Sequence, residues 1–396
     1  MVQKYNIFSD IQKKVQKNRI NYKINFNFAE FIKYIYNIMY SRRKFCKQIA
    51  ALPLVGMAGI LESRAAEGSD YPPEAISDFC RELKPLNRIL ETEGYYVWCV
   101  APIYGKDGKV HVFHSRWQSQ YGMGGWLRRC EIAHAVADRP EGPYRFVGVA
   151  VAPRTDNWDS TTCHNPHIQY IDGKYYLFYM GNSDGTVFTK RIGLAVSDSL
   201  DGPWQRMDKP LFEVGAEGEW DDCCTTNPAF LRLPNGENRL YYKSWNEKEY
   251  REQTGSIRAN RKYGLAVSQR IDGGYERYPG NPIVDFSVFG GNRQVEDAFV
   301  YMEDGKFKML MRDMGYFDHY VGLIFESTDG ENWSLPKIAW YGASKYFEEP
   351  PAPAHLSRYG RFERPQLLMK DGKPEYLFTA MQGGQYMTAS GFVFKV

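Results

Sequence analysis

The sequence predicts an all-β fold, a five-bladed β-propeller of four-stranded blades, and three observations carry that prediction. An extended segment recurs five times, opening on Ala101-Pro102, Asn165-Pro166, Asn227-Pro228, Asp297-Ala298 and Arg364-Pro365, at steps of 64, 62, 70 and 67 residues. Each opening leads into a turn: Lys106-Asp107-Gly108-Lys109, Asp172-Gly173-Lys174, Pro234-Asn235-Gly236, Asp304-Gly305-Lys306 and Asp371-Gly372-Lys373. Asp-Gly and Asn-Gly between alternating apolar runs mark hairpins, because both residues tolerate the positive φ of such turns. The chain is also 15% aromatic with 36 Gly, and no segment beyond the leader has the periodicity of a long amphipathic helix. A long repeat built of several short strands is the signature of a propeller blade.

Within each repeat the strands follow in order. The anchor strand and the Tyr/Phe-rich strand after the turn form the first two. A third reads Ile132-Ala133-His134-Ala135-Val136, Ile192-Gly193-Leu194-Ala195-Val196-Ser197, Tyr263-Gly264-Leu265-Ala266-Val267-Ser268 and Gly322-Leu323-Ile324-Phe325-Glu326-Ser327. The fourth follows a second turn, as in Gly142-Pro143-Tyr144, Gly202-Pro203-Trp204, Gly273-Gly274-Tyr275 and Gly330-Glu331-Asn332-Trp333. The fifth repeat stops at Gly391-Phe392-Val393-Phe394, so its sheet needs a strand from before the first repeat, expected around Tyr95 to Val97. That closure leaves no open sheet edge. A short helix is expected between Pro73 and Leu90, outside the barrel. Residues 71–396 then form one domain.

The leader reads differently. Arg42-Arg43-Lys44-Phe45 precedes an apolar run from Ile49 to Leu61 and a small-residue end at Ala65-Ala66, so residues 39–66 resemble a twin-arginine export signal. The competing reading is a basic patch before an apolar helix. Residues 1–38 are rich in Lys, Asn, Ile, Tyr and Phe, the residues that AT-rich DNA encodes, and translation is expected to start at Met39. Beyond residue 66 there remain 38 Lys+Arg against 44 Asp+Glu, a net charge of −6 where the whole chain has +3. That balance removes the case for a nucleic-acid partner. With the leader cleaved, no membrane association is expected either, and the protein is placed in the periplasm or outside the cell.

Six cysteines remain, Cys80, Cys99, Cys130, Cys163, Cys223 and Cys224, at spacings that fit no zinc motif. Cys99, Cys163 and Cys224 precede their anchors by similar offsets, which places three thiols near one end of the channel; buried inert thiols are the expected state. No cofactor is called for, and a structural cation in the channel is left open.

In a propeller the first strand of each blade runs along the axis and the second returns to the same end, so the anchors and the loops after the second strands share one mouth. The segments His164-Asn165-Pro166-His167-Ile168-Gln169-Tyr170-Ile171-Asp172-Gly173-Lys174-Tyr175-Tyr176, Ala195-Val196-Ser197-Asp198-Ser199 and Asp201-Gly202-Pro203-Trp204 resemble the five-bladed propeller glycoside hydrolases of families 43, 62, 32, 68, 117 and 130. The resemblance spans nearly all of residues 71–396 and implies an oligosaccharide substrate. Family 43 members place an Asp before the first Pro, an Asp after the second and a Glu two before the third. Here those positions hold Ala101, His167 and Thr226, so that triad is absent.

The substitutes are Glu296 and Asp297, which open the fourth repeat, and Glu363, which stands with Arg364 at the fifth. Glycoside cleavage needs one protonated carboxyl and one ionised one, and neighbouring acids beside an Arg create both states. The plain alternative is that each caps a turn or pairs with an Arg. His164 and His167 flank the second Asn-Pro and suit a sugar hydroxyl, an acid role as in family 117, or a cation. Asp159, Asp221 and Asp222, in two Trp-Asp pairs before their anchors, face the mouth or form structural corners. The first loop carries His114, Arg116, Trp117, Tyr121 and Trp126, and the third opens Lys243-Ser244-Trp245-Asn246. Aromatic faces stack on pyranose rings while Arg, Lys and Asn satisfy hydroxyls or a carboxylate; packing between blades is the competing role.

The resulting expectation is an exported glycoside hydrolase with Glu296, Asp297 and Glu363 as its acid/base set. His164, His167, Arg116, Trp117, Asn165, Asn227, Trp245, Arg312 and Arg364 are its expected substrate contacts. A sugar-binding propeller without catalysis and a phosphorylase or transglycosylase are the alternatives. Replacing Arg42 and Arg43 with Lys is expected to leave uncleaved precursor in the cytoplasm, read by cell fractionation; normal export of that variant would refute the signal.

Overall fold

The computed structural model describes residues 71–254 and 257–396. The expected upstream extension and export signal lie outside the described residues. Strands dominate, in a β-propeller architecture. Three sheets have four strands each. The first is β6 (Thr162–Ile171), β7 (Lys174–Asn182), β8 (Arg191–Ser197) and β9 (Gln205–Arg206). The second is β10 (Thr226–Arg232), β11 (Asn238–Ser244), β12 (Lys262–Ser268) and β13 (Glu276–Arg277). The third is β14 (Gln294–Glu303), β15 (Lys306–Met314), β16 (Gly322–Ser327) and β17 (Lys337–Trp340).

The fourth sheet has eight strands and joins the two ends of the domain. One half is β2 (Tyr95–Tyr104), β3 (Val110–Gln118), β4 (Glu131–Ala137) and β5 (Arg145–Val151). The other is β18 (Glu363–Lys370), β19 (Lys373–Gly383), β20 (Thr388–Lys395) and β1 (Lys84–Ile89). A single parallel pair, Tyr96 with Ala389, joins the halves. The strand that completes the last half is β1, antiparallel to β20 from Lys84↔Lys395 to Ile89↔Gly391. This corrects the expectation of Tyr95 to Val97, which begin β2 instead. The expected outer helix is α1 (Asp78–Glu82), capped by the Ser77 hydroxyl, which accepts from the Cys80 N–H at 3.0 Å.

Turn chemistry is as the sequence implies. Asp172-Gly173, Asp304-Gly305 and Asp371-Gly372 all have positive φ at both residues, the type I′ geometry that matches strand twist. Strands β2, β6, β10, β14 and β18 contact one another in a closed ring around the channel. In each of them the ladder to the next strand breaks at the same place: between Trp98 and Ala101, His164 and His167, Thr226 and Ala229, Glu296 and Phe299, and Glu363 and Gln366. The equivalent of Asn165-Pro166 in the first repeat is therefore Cys99-Val100. Ala101-Pro102 lies two residues further on, and Ala101 matches His167.

The two Trp-Asp pairs are structural corners. Trp158 stacks on Tyr179 at 5.6 Å and 23°, and Trp220 on Tyr242 at 5.7 Å and 26°. A Cβ on Gly193 would lie 2.5 Å from Trp158, and one on Gly264 would lie 2.7 Å from Trp220, which explains the Gly in those third strands. Asp159 is fully buried and accepts from Arg154, Arg206 and the Tyr179 hydroxyl. Asp221 accepts from Tyr242 and Arg277, both at 2.8 Å, and Asp222 caps the backbone N–H of Glu247 at the start of α2 (Glu247–Glu252). Replacing Asp159 with Ala strands two arginines beside each other, and is expected to cost about 3–5 kcal/mol of stability. Urea unfolding measures this; a loss below about 1 kcal/mol would remove the corner from the account.

Candidate active site

At the centre of each break in the inner ladders stands one left-handed residue: Cys99, Asn165, Asn227, Asp297 and Arg364, with φ between 52° and 65°. Asn and Asp enter this region at small cost, whereas Cys and Arg do so only when held there. What holds them is a belt of side chains across the channel. The Cys99 thiol donates to Asn165 Oδ1 at 2.9 Å, Asn165 Nδ2 to Asn227 Oδ1 at 2.8 Å, and Asn227 Nδ2 to Asp297 Oδ1 at 2.9 Å. Arg364 closes the other side, pairing with Asp297 at 3.1 Å and donating to Asn227 Oδ1 at 3.1 Å. The positive charge in the belt is thus supplied by the chain itself.

One residue earlier on each strand, Trp98, His164, Thr226, Glu296 and Glu363 face a cavity of about 550 Å³, which the belt residues Asn165, Asn227, Asp297 and Arg364 also line. Glu296 meets Lys243 and Arg261 at 2.7 Å and Arg312 at 3.0 Å. Glu363 meets Arg312 and Arg358 at 3.2 Å and Arg361 at 3.7 Å. Both carboxylates touch the same Arg312 nitrogen, which puts their nearest oxygens within about 6 Å of each other, inside the span of catalytic carboxylate pairs.

Charge states follow from these neighbours. Burial alone would push Glu296 up, but Lys243, Arg261 and Arg312 together outweigh it and hold its carboxyl well below the usual range. Burial likewise opposes, and Arg312, Arg358 and Arg361 overcome it, at Glu363, which is also lowered. Asp297 goes the other way: burial, with the charges of Glu296 and Glu363, raises it against the pull of Arg364 and Lys243. Two acids are therefore biased to the ionised form and one towards the protonated form. His164 is driven well down by burial and then by Arg364, so its ring is neutral at ordinary pH. It sits 3.2 Å from the Cys130 sulfur, under Trp126.

Several expected contacts lie elsewhere. His167 is on the far side of the belt, 3.1 Å from Gln366 Oε1 and 3.2 Å from the Phe230 carbonyl, and is an internal strut. The ladder break between it and His164 separates the two rings. Arg116 pairs with Glu131, packs over Tyr95 and Phe146, and lines a separate cleft beside β1. Trp117 is buried behind His164, stacked on Tyr96, with its N–H donating to the Gly122 carbonyl. Trp245 and Arg312 do line the cavity. Of the thiols, Cys99 reaches the belt, while Cys163 donates to the Asp159 carbonyl and Cys224 packs with Trp245. Burial pushes Cys99 and Cys163 up to about 12.

The sequence reading missed Trp98, Lys190, Arg261, Arg358 and Arg361 in the lining. One signal was present: Lys190 and Arg261 each stand three residues before the Gly of a third strand, equivalent places in adjacent repeats.

No protein-family model matches the chain, and no curated protein sequence does. Solved structures do. One is Zg3597, a family 117 glycoside hydrolase of the marine bacterium Zobellia galactanivorans, at TM-score 0.58 and 18% identity over 79% of this chain and 89% of that one. Another is described as a glycoside hydrolase, at TM-score 0.60 and 14% identity over 82% and 96%. A third is CoXyl43, a family 43 β-xylosidase/α-arabinofuranosidase from a compost metagenome solved with xylotriose, at TM-score 0.53 and 17% identity over 79% and 94%. The chain shares the fold of the propeller glycoside hydrolases.

Glu296 also sets a pH dependence. A lowered carboxyl contributes stability above its unfolded value of about 4.3, and the contribution is lost as pH falls through the folded value. Replacing Glu296 with Gln is expected to cost about 3–5 kcal/mol at pH 7, since the buried Lys243 and the half-buried Arg261 lose their carboxylate and Arg312 keeps only Glu363. The gap between variant and wild type should close only below about pH 4; an equal gap at pH 7 and pH 3 in urea unfolding would contradict the ion cluster.

Proposed function

We propose that the protein is an exported five-bladed propeller enzyme that hydrolyses a glycosidic bond in an oligosaccharide. The eight-stranded sheet counts as two blades in this reading, because its halves share only one residue pair. The observation that carries the proposal is that three carboxylates, Glu296, Asp297 and Glu363, converge on one cavity, two of them bridged by Arg312; their surroundings lower Glu296 and Glu363 and raise Asp297. In this reading Asp297, the one of the three carboxyls whose surroundings raise it, takes the acid role: in its protonated fraction it gives its proton to the leaving glycosidic oxygen as the bond to the anomeric carbon breaks. Ionised Glu363 then serves as base towards water or as nucleophile at that carbon. Glu363 suits this role better than Glu296, since its cation contacts are longer and its Oε1 is buried without a hydrogen bond. Glu296 and Arg312 position it. Fold likeness to glycoside hydrolases supports the reaction class by analogy.

A sugar-binding propeller without turnover is the second reading, favoured by the three cations that saturate Glu296 within 3.0 Å. Incubating the full chain with a panel of oligosaccharides, with and without inorganic phosphate, separates the readings by their products. New reducing ends formed without phosphate support the hydrolase, binding without cleavage the module, and a glycosyl phosphate formed only with phosphate a phosphorylase. For the hydrolase, Glu363→Gln and Asp297→Asn are each expected to lower kcat about 100-fold or more. The rate should rise with pH as Glu363 ionises and fall as Asp297 loses its proton. Unchanged activity per folded molecule in both variants would remove these roles.

A further inference from the structure

The cavity carries more positive charge than it neutralises. Seven Lys and Arg side chains line it against three carboxylates. Asp297 is matched by Arg364, and Glu363 by Arg358 and Arg361, while Glu296 is shared among Arg312, Lys243 and Arg261. Lys190 has none: the residue is only 3% exposed, and among the described residues no carboxylate pairs with its ammonium, the Cys224 and Cys223 thiols being the groups that favour its charge. What surrounds it is Trp245, whose ring centroid lies 4.4 Å from Lys190, 5.6 Å from Arg261 and 5.7 Å from Lys243. The Trp245 N–H is itself buried without an acceptor. A lysine buried this far without a carboxylate partner carries a free-energy cost that an anion in the cavity relieves.

Resting on the hydrolase reading and deepening it, we propose that the substrate is an acidic sugar, its carboxylate or sulfate seated against Lys190 and Trp245 with Lys243 and Arg261 beside it. One oxyanion supplies the counter-charge that no carboxylate gives Lys190. The cavity volume of about 550 Å³ exceeds what a free inorganic anion fills, and leaves room for the sugar ring that carries the charge. Burial first, then Lys243 and Arg261, hold Lys190 down at about 8 against the opposing influence of Cys224. Its charge, and with it the affinity for the anion, falls away above that pH.

Calorimetry on the full chain tests this with disaccharides ending in glucuronic or galacturonic acid, the same sugars reduced to the neutral hexose, 6-sulfated hexose analogues, and inorganic phosphate. An acidic sugar is expected to bind at least about tenfold more tightly than its neutral counterpart. That advantage should shrink as NaCl rises to about 0.5 M. The carboxylate and sulfate arms tell which anion is taken. Lys190→Met should lower acidic affinity to the neutral level without lowering the melting temperature. If that variant does not fold, the wild-type comparison and its salt dependence decide. Equal affinity for acidic and neutral sugars, or an acid preference intact in the folded variant, overturns the proposal. So does phosphate-dependent cleavage of neutral sugars. Acidic sugars bound but never cleaved would remove the hydrolase reading alone, and neutral sugars cleaved without acid preference would remove this inference alone.

Discussion

Five left-handed residues, joined side chain to side chain across the channel, set the geometry of everything above them. A residue in that conformation bends its strand and skips two positions in the ladder. The break lets the residue before it turn its side chain up into the cavity and the residue two after it turn down between the sheets. The belt Cys99, Asn165, Asn227, Asp297, Arg364 is therefore both the floor of the cavity and the device that aims its walls. Because each member comes from a different inner strand, the belt also fixes how those strands meet. Its backbone strain is tolerable at Cys99 and Arg364 only through the partners those side chains find.

Above the belt, electrostatics takes over from packing. Most of the charges buried here are held in pairs, and the pairs are shared: Arg312 serves Glu296 and Glu363 at once. A shift of either glutamate is felt by the other through that guanidinium. Burial, helped by the same cations, keeps His164 neutral, while the cations depress two of the three carboxyls and leave Asp297 as the one that burial raises. Different charge biases for three similar carboxyls thus come from what stands beside each, and their own chemistry is secondary.

Much of this was legible in the residues. Hairpins at Asp172-Gly173, Asp304-Gly305 and Asp371-Gly372 follow from the φ those residues accept, and the anchors Asn165, Asn227, Asp297 and Arg364 stand out at regular spacing. The first repeat misled because Cys99-Val100 lacks the polar-proline signature and Ala101-Pro102 imitates it. His164 and His167 flank one Asn-Pro yet part company, since a ladder break reverses faces in a way that alternation along a strand does not reveal. The closing strand β1 escaped notice because Lys-Pro-Leu-Asn-Arg-Ile is largely exposed and has no apolar alternation. Arg358 and Arg361 reach the cavity from the stretch before β18, where no periodic pattern reports direction.

That closing strand has a consequence in time. β1 leaves the ribosome early, but its partner β20 lies about 300 residues downstream, so at roughly 5–20 residues per second β1 waits on the order of 15–60 s for it. Throughout that interval the last half of the eight-stranded sheet does not exist, and β1 has no edge to join. The ring can be sealed only after synthesis is essentially complete, whatever order the other sheets form in. The lag is a property of the strand order alone, since moving β1 to follow β20 in sequence would turn the same pairing into a local one.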